Sequence, residues 1–414
     1  MVNRFSKEPI NLVVFGATGD LMARKILPSL FYLYKEKALP ENFRVVGVSR
    51  RDIFEEGFRE RMREAASKFD EIKKDKRLEK FLAFFYFVKG FFGDKYTYED
   101  LKRVLPAKSK NFFYLAVAPK FYKVVLKNIA AAGLINPKTF FLVEKPIGLD
   151  LKSAREVENL LAKYFKEKQI YRVDHYLAKE GVQKLFEFRF KEKEMEKIWS
   201  RDFVSSVELR LWEEKDATGR GEFYDGVGAL RDVGQNHLLA VLAYLAMEKP
   251  KNFSGEEIRK ARARLLKTLK IYNAKQANNF SYRAQYKGFR SLKGVKRNSK
   301  TETFFKVLVF LKEGRFKGVP ITIEAGKALP QNRKEAVINF KDKRKIVFPF
   351  ETHAVKYQYV EEYKKILSKA FMNDDSIFLG KDEVLASWKF VDPIISAFRK
   401  KIPLKFYEVN KYPK

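Results

Sequence analysis

The stretch Arg172-Val173-Asp174-His175-Tyr176-Leu177-Ala178-Lys179-Glu180-Gly181-Val182 holds one of only three histidines in the 414-residue chain. On a helix, residues four apart share a face, so the spacing predicts that the His175 imidazole and the Lys179 ammonium point at one ligand. Such a pair suits a phosphate. A second histidine, His237, lies with Asp232 and Asn236 in an otherwise apolar helical stretch that runs on to Met247. A lone histidine there is commonly a packed residue, but Asp232 is about one turn away and Asp174 is a second carboxylate able to pair with the imidazole. A buried Asp–His pair fixes the tautomer and sets a base suited to taking a proton from an alcohol. The third, His353, lacks such company and is expected at a loop or helix start.

Composition narrows the chemistry. With no cysteine, disulfides, thiolate metal sites and thiol nucleophiles are excluded, leaving His, Asp, Glu, Lys and Tyr for catalysis. No metal site is expected. The net charge of +33 attracts phosphorylated metabolites and dinucleotides, and equally nucleic acid. The lysines are spread through mixed-charge stretches with no nucleic-acid-binding motif, so nucleic acid is expected to bind only non-specifically, if at all. No run approaches the roughly 20 apolar residues that span a bilayer, and Met1 to Pro9 is mostly polar, so a cytoplasmic protein without membrane contact is expected.

Elements must position these groups. Asn11 to Phe15 is an apolar run stopped by Gly16-Ala17-Thr18-Gly19-Asp20-Leu21, after which residues up to Lys37 have helical composition. Glycines at that point let backbone amides and a helix N-terminus approach a pyrophosphate. A second run, Phe43 to Val48, leads into Ser49-Arg50-Arg51, with no carboxylate before Asp52. An acidic residue there would hold a ribose 2′-hydroxyl, whereas arginine accommodates a 2′-phosphate, so Arg50 favours NADP, with NAD the weaker alternative. Further apolar runs at Phe84 to Val88, Phe112 to Val117 and Phe140 to Val143 alternate with helical stretches. The alternation predicts a doubly wound, Rossmann-type parallel sheet. Lys145, in Glu144-Lys145-Pro146, follows the last of these runs, where open α/β sheets bind ligands.

From about Lys191 the pattern changes to alternation, as in Val204 to Leu211 and parts of Phe304 to Leu311 and Val337 to Phe340. It predicts a large, mainly antiparallel sheet in an α+β domain, accompanied by long helices over Gly228 to Ala246 and Ala354 to Phe371. Residues 250–300 read as the most loop-like and basic part. The expected division is a dinucleotide-binding domain over 1–175 and an α+β substrate-binding and oligomerisation domain over 176–414.

The motifs share a family resemblance. Val14 to Leu21 with Arg24, Lys25 and Pro28, then Glu144-Lys145-Pro146, Arg172 to Lys179, Gly219-Arg220-Gly221 with Tyr224-Asp225, Arg231 to Leu239 and Gly326-Lys327-Ala328-Leu329 together resemble glucose-6-phosphate dehydrogenase, in that family's order. The resemblance implies oxidation of D-glucose 6-phosphate at C1, the first step of the oxidative pentose phosphate pathway. It implies that His237 is the general base and that Asp174 orients it. His175, Tyr176 and Lys179 would hold the phosphate, Glu213 and Asp232 the sugar hydroxyls, and Lys145 and Lys327 would sit at the reacting end, Lys145 also touching the cofactor. A homodimer or homotetramer is expected. Glu324 stands where a basic residue is common, and Pro330-Gln331-Asn332-Arg333 is one residue longer than the usual spacing, which puts a role for Arg333 in doubt. Two alternatives share parts of the pattern: a related sugar or inositol dehydrogenase, which has a similar Glu-Lys-Pro tripeptide, and a basic nucleic-acid-binding protein on an inactive dehydrogenase fold.

Overall fold

In a computed structural model, residues 8–351 and 358–413 are described; His353 and residues 354–357 of the expected helix lie outside them. Contacts divide the chain into two units. The first comprises residues 1–148, 155–175 and 356–379, and the second 149–154, 176–355 and 380–414. The chain therefore passes from one to the other at residue 175, but it also returns, so the simple division into 1–175 and 176–414 does not describe the packing.

The first unit is built on β1 (Ile10–Phe15), β2 (Phe43–Ser49), β3 (Phe85–Lys89), β4 (Lys110–Leu115), β5 (Thr139–Glu144) and β6 (Ile170–Val173), in the order β6-β5-β4-β1-β2-β3. These six strands are all parallel. The short strand Phe378–Leu379 adds antiparallel to β6. This is the expected doubly wound sheet, whose order reverses between β1 and β4 and so opens a ligand crevice at their carboxyl ends. β1 is buried throughout, as strands covered on both faces must be. The returning helix Gln358–Phe371 packs on this unit: the Ser29 hydroxyl donates to the Val360 carbonyl at 2.9 Å, and the Phe371 ring lies edge-on to Phe43 and Phe112.

The second unit is built on β7 (Val204–Trp212), β8 (Ser281–Tyr286), β9 (Phe304–Val309), β10 (Ile321–Gly326), β11 (Arg333–Phe340), β12 (Lys345–Pro349) and a final strand Lys405–Tyr407. The order is β12-β11-β7-β10-β9-β8, followed by the final strand. Four of its pairings are antiparallel, and two are parallel, β7 with β10 and the final strand with β8. It is the α+β domain expected. The stretch 250–300, expected as loop, instead holds helices Gly255–Lys267 and Ala274–Phe280 as well as β8. Its apolar face is narrow because buried Arg262 takes part in it, paired with buried Glu383 at 2.8 Å. An ion pair in place of an apolar contact hides a helix from hydrophobic periodicity. Among the described residues no helix is long and apolar enough to cross a membrane.

Candidate active site

At the carboxyl end of β1, Gly16 adopts φ +84°, and a Cβ there would lie 2.6 Å from the Ala116 carbonyl oxygen and 2.9 Å from Val117. Only glycine fits this turn, which sits at the reversal between β1 and β4. The Gly19 N–H closes the turn on the Gly16 carbonyl at 3.0 Å, and the Thr18 and Ser49 hydroxyls meet at 2.9 Å. Beyond it, Met22–Ile26 winds as a π-helix before the α-helix Leu27–Lys35 begins. Arg50 is exposed just after β2, and the first carboxylate beyond it, Asp52, is paired with Lys89 at 2.5 Å. Ala17, Asp20 and Leu21 complete the turn, with Ala17 buried and Asp20 exposed. This set fits a dinucleotide.

Lys145 follows β5. The Glu144 carboxylate beside it accepts from the Tyr114 hydroxyl at 2.6 Å and the Tyr363 hydroxyl at 2.8 Å, which fixes the strand end from which Lys145 projects. Burial raises the Glu144 carboxyl above its ordinary value, and those two hydrogen bonds and the nearby Lys25 and Lys145 ammoniums oppose the rise. Asp174 is buried directly after β6, and His175 opens the next helix.

The helical pairing expected for His175 and Lys179 is corrected by the structure. The segment Ile170–Val173 is a strand, the helix His175–Ala178 has only four residues, and Lys179 is extended (φ −60°, ψ 138°) ahead of helix Glu180–Lys191. The i, i+4 rule therefore does not apply to this pair. The break is imposed by packing: a Cβ on Gly181 would fall 1.8 Å from the Pro349 carbonyl oxygen, so the second helix starts flush against the end of β12. That places the buried Lys179 ammonium 3.0 Å from a Glu351 oxygen, which Lys334 also reaches at 3.0 Å. Burial acts to raise the Glu351 carboxyl, but the two ammoniums outweigh it and hold the group below its ordinary value.

His237 and Asp232 lie on a nine-residue π-helix, Leu230–Leu238, that runs into the fully buried α-helix Leu239–Ala246. In a π-helix residues five apart are joined by the backbone ladder, so this winding brings Asp232 and His237 onto one face, where an α-helix would splay them; π segments of this kind are frequent at functional sites. Gly234 allows the segment to lie on β9, because a Cβ there would meet the Phe305 ring at 2.6 Å. Gly234→Ala is expected to cost about 1–3 kcal/mol by overpacking, read from the denaturant midpoint. The Asn236 side-chain oxygen accepts from the His237 backbone N–H at 2.6 Å, and the His237 ring stacks on Tyr176 with centroids 4.0 Å apart. The Lys179 ammonium lies 4.7 Å from the centre of the same Tyr176 ring.

Glu213 and Lys327 follow the parallel strands β7 and β10, whose registered ends are Trp212 and Gly326, and so they emerge side by side. Their carboxylate and ammonium meet at 2.6 Å. Tyr224, buried 5.7 Å from the Lys327 ammonium, has its hydroxyl pushed well above its ordinary value by burial and then by the charges of Asp232, Glu302 and Glu213. It is a neutral donor beside the two carboxylates expected to bind sugar hydroxyls. Sequence reasoning missed Lys334, Glu351 and the role of Tyr224. Strand alternation was the available signal for Lys334: Arg333 pairs across from Trp212 and lies 5.4 Å over its ring, so its neighbour Lys334 faces the other side of the sheet, toward Glu351.

A doubly wound dinucleotide-binding unit, joined to an α+β unit that presents a buried imidazole among carboxylates and lysines, defines an oxidoreductase. The family model "Glucose-6-phosphate dehydrogenase, NAD binding domain" matches residues 13–184, and its C-terminal-domain counterpart matches 186–359 and 349–414. The chain belongs to the glucose-6-phosphate dehydrogenase family. Glucose-6-phosphate 1-dehydrogenase of Borreliella burgdorferi is 33% identical, covering 93% of this chain and 91% of its own. That of Helicobacter pylori is also 33% identical, covering 96% of each chain. A solved glucose-6-phosphate dehydrogenase in complex with glucose 6-phosphate superposes with a TM-score of 0.91 at 28% identity, covering 100% of this chain and 97% of the other.

Proposed function

We propose that the chain oxidises C1 of D-glucose 6-phosphate to 6-phospho-D-glucono-1,5-lactone with NADP as the preferred cofactor. One observation carries the reading: the Tyr176 ring touches both the stacked His237 imidazole and the Lys179 ammonium, so a base and a phosphate-binding cation are held on a common support. His237 takes the C1 hydroxyl proton, and Asp174 has the orienting role that the family motif implies. His175, Tyr176 and Lys179 hold the phosphate, while Glu213, Asp232 and Lys327 engage the sugar. The Gly16 to Leu21 turn, Arg50 and Lys145 would hold NADP, which would supply the hydride acceptor for C1. The residues thus supply position and a proton acceptor, and binding energy from the remote phosphate is available for aligning C1. The same reading carries assembly as a homodimer or homotetramer, measurable by sedimentation.

The test is absorbance of the reduced nicotinamide with glucose 6-phosphate and each cofactor. Reduction with free glucose or inositol but not with the phosphate ester would favour the related sugar or inositol dehydrogenase. Arg50→Ala is expected to lower kcat/KM for NADP about tenfold or more, since a charge-assisted phosphate contact contributes about 1.5–3 kcal/mol, and to leave NAD nearly unchanged. Equal losses for both cofactors would remove Arg50 from 2′-phosphate recognition.

A further inference from the structure

The Lys179 side chain is buried, yet it carries an ammonium, and a buried charge requires a counter-charge. Glu351 provides it. One carboxylate oxygen lies 3.0 Å from Lys179 and 3.0 Å from Lys334, and the second oxygen lies 3.0 Å from Lys334. Three strands of chain converge to make this arrangement: the break before helix Glu180–Lys191, the start of β11, and the end of β12. The Phe350 N–H donates to the Lys334 carbonyl at 2.7 Å, so the backbone just before Glu351 is tied to the residue that it pairs with.

We propose that Glu351 is an internal stand-in for the substrate phosphate and that Lys334 is a second phosphate-binding cation beside Lys179. The inference rests on the functional reading above and adds two residues to its phosphate site. A phosphate monoester dianion carries two negative charges against the two ammoniums. With Glu351 still between them the carboxylate would face the phosphate, and like charges at contact are strongly unfavourable. The side chain therefore turns aside on binding, while the backbone at Pro349, clamped by Gly181, stays in place. The Glu351 side chain is 31% exposed, which gives it an outlet to solvent. Its displacement raises the KM for the phosphorylated sugar, and in the absence of substrate Glu351 holds the two lysines in place.

The experiment compares the wild type with Glu351→Gln, Lys334→Met and the double variant, on the full chain. Removing the competing charge is expected to lower KM for glucose 6-phosphate about three- to tenfold, with the change carried by KM and not kcat, and to lower the inhibition constant of inorganic phosphate in parallel. Lys334→Met is expected to raise both constants about tenfold. In the double variant the two effects should not add, because the two groups interact directly. An unchanged or raised KM and phosphate constant in Glu351→Gln would overturn the proposal and make Glu351 a fixed support for the lysines. Calorimetric titration of inorganic phosphate into the same proteins separates the two readings: tighter phosphate in Glu351→Gln without any turnover of glucose 6-phosphate would keep the pocket and sink the sugar assignment.

Discussion

Replacing His237 with asparagine is expected to lower kcat by about 10²–10⁴, the usual contribution of a positioned general base. The substitution preserves a planar polar group at a site that is 1% exposed, and the amide retains a face to lay against Tyr176. What it cannot do is accept the proton that leaves the C1 hydroxyl. KM for glucose 6-phosphate should change little, because the phosphate-binding cations are untouched. Steady-state kinetics on the folded variant, with its melting temperature as a control, provide the check. Turnover within a few-fold of wild type would refute the assignment of the base.

Lys179→Ala is expected to raise KM for glucose 6-phosphate by roughly 10- to 100-fold, the equivalent of about 1.5–3 kcal/mol for a charge-assisted contact. Cofactor affinity should hold, and so should whatever slow oxidation of free glucose exists, since that sugar offers nothing for the ammonium to bind. Loss of a buried cation leaves Glu351 with Lys334 as its remaining ion-pair partner, which limits the cost to the fold. If activity toward glucose and its phosphate ester falls by the same factor, Lys179 acts at the reacting carbon and the phosphate reading is wrong.

The parallel sheet was legible because its strands are buried on both faces and read as plain apolar runs between helices, with Gly16 marking the turn that no Cβ can enter. β6 was hidden because it is four residues long and contains Arg172, whose buried guanidinium is matched by Glu158 at 2.5 Å, a partner fourteen positions away. The four-residue spacing of His175 and Lys179 suggested a continuous helix; tertiary packing at Gly181 broke it. The choice between π and α winding over Leu230–Leu238 also lay beyond sequence reasoning, since a nine-residue segment with few apolar residues does not distinguish the two periods. Lys334 was lost to a one-residue question of strand phase, which reverses the face of every side chain in the strand.

The return of residues 356–379 to the first unit bears on how the chain can be made. Synthesis delivers the N-terminus first, and domains generally fold as they emerge. Here the nascent dinucleotide-binding sheet appears without helix Gln358–Phe371, so Phe43 and Phe112 lack their Phe371 cover and Glu144 lacks its Tyr363 partner until residues 176–355 have also been translated. A ribosome-stalled or recombinant fragment ending near residue 175 should consequently present a sticky aromatic face and a half-satisfied buried carboxyl, and bind chaperones more strongly than the whole chain does.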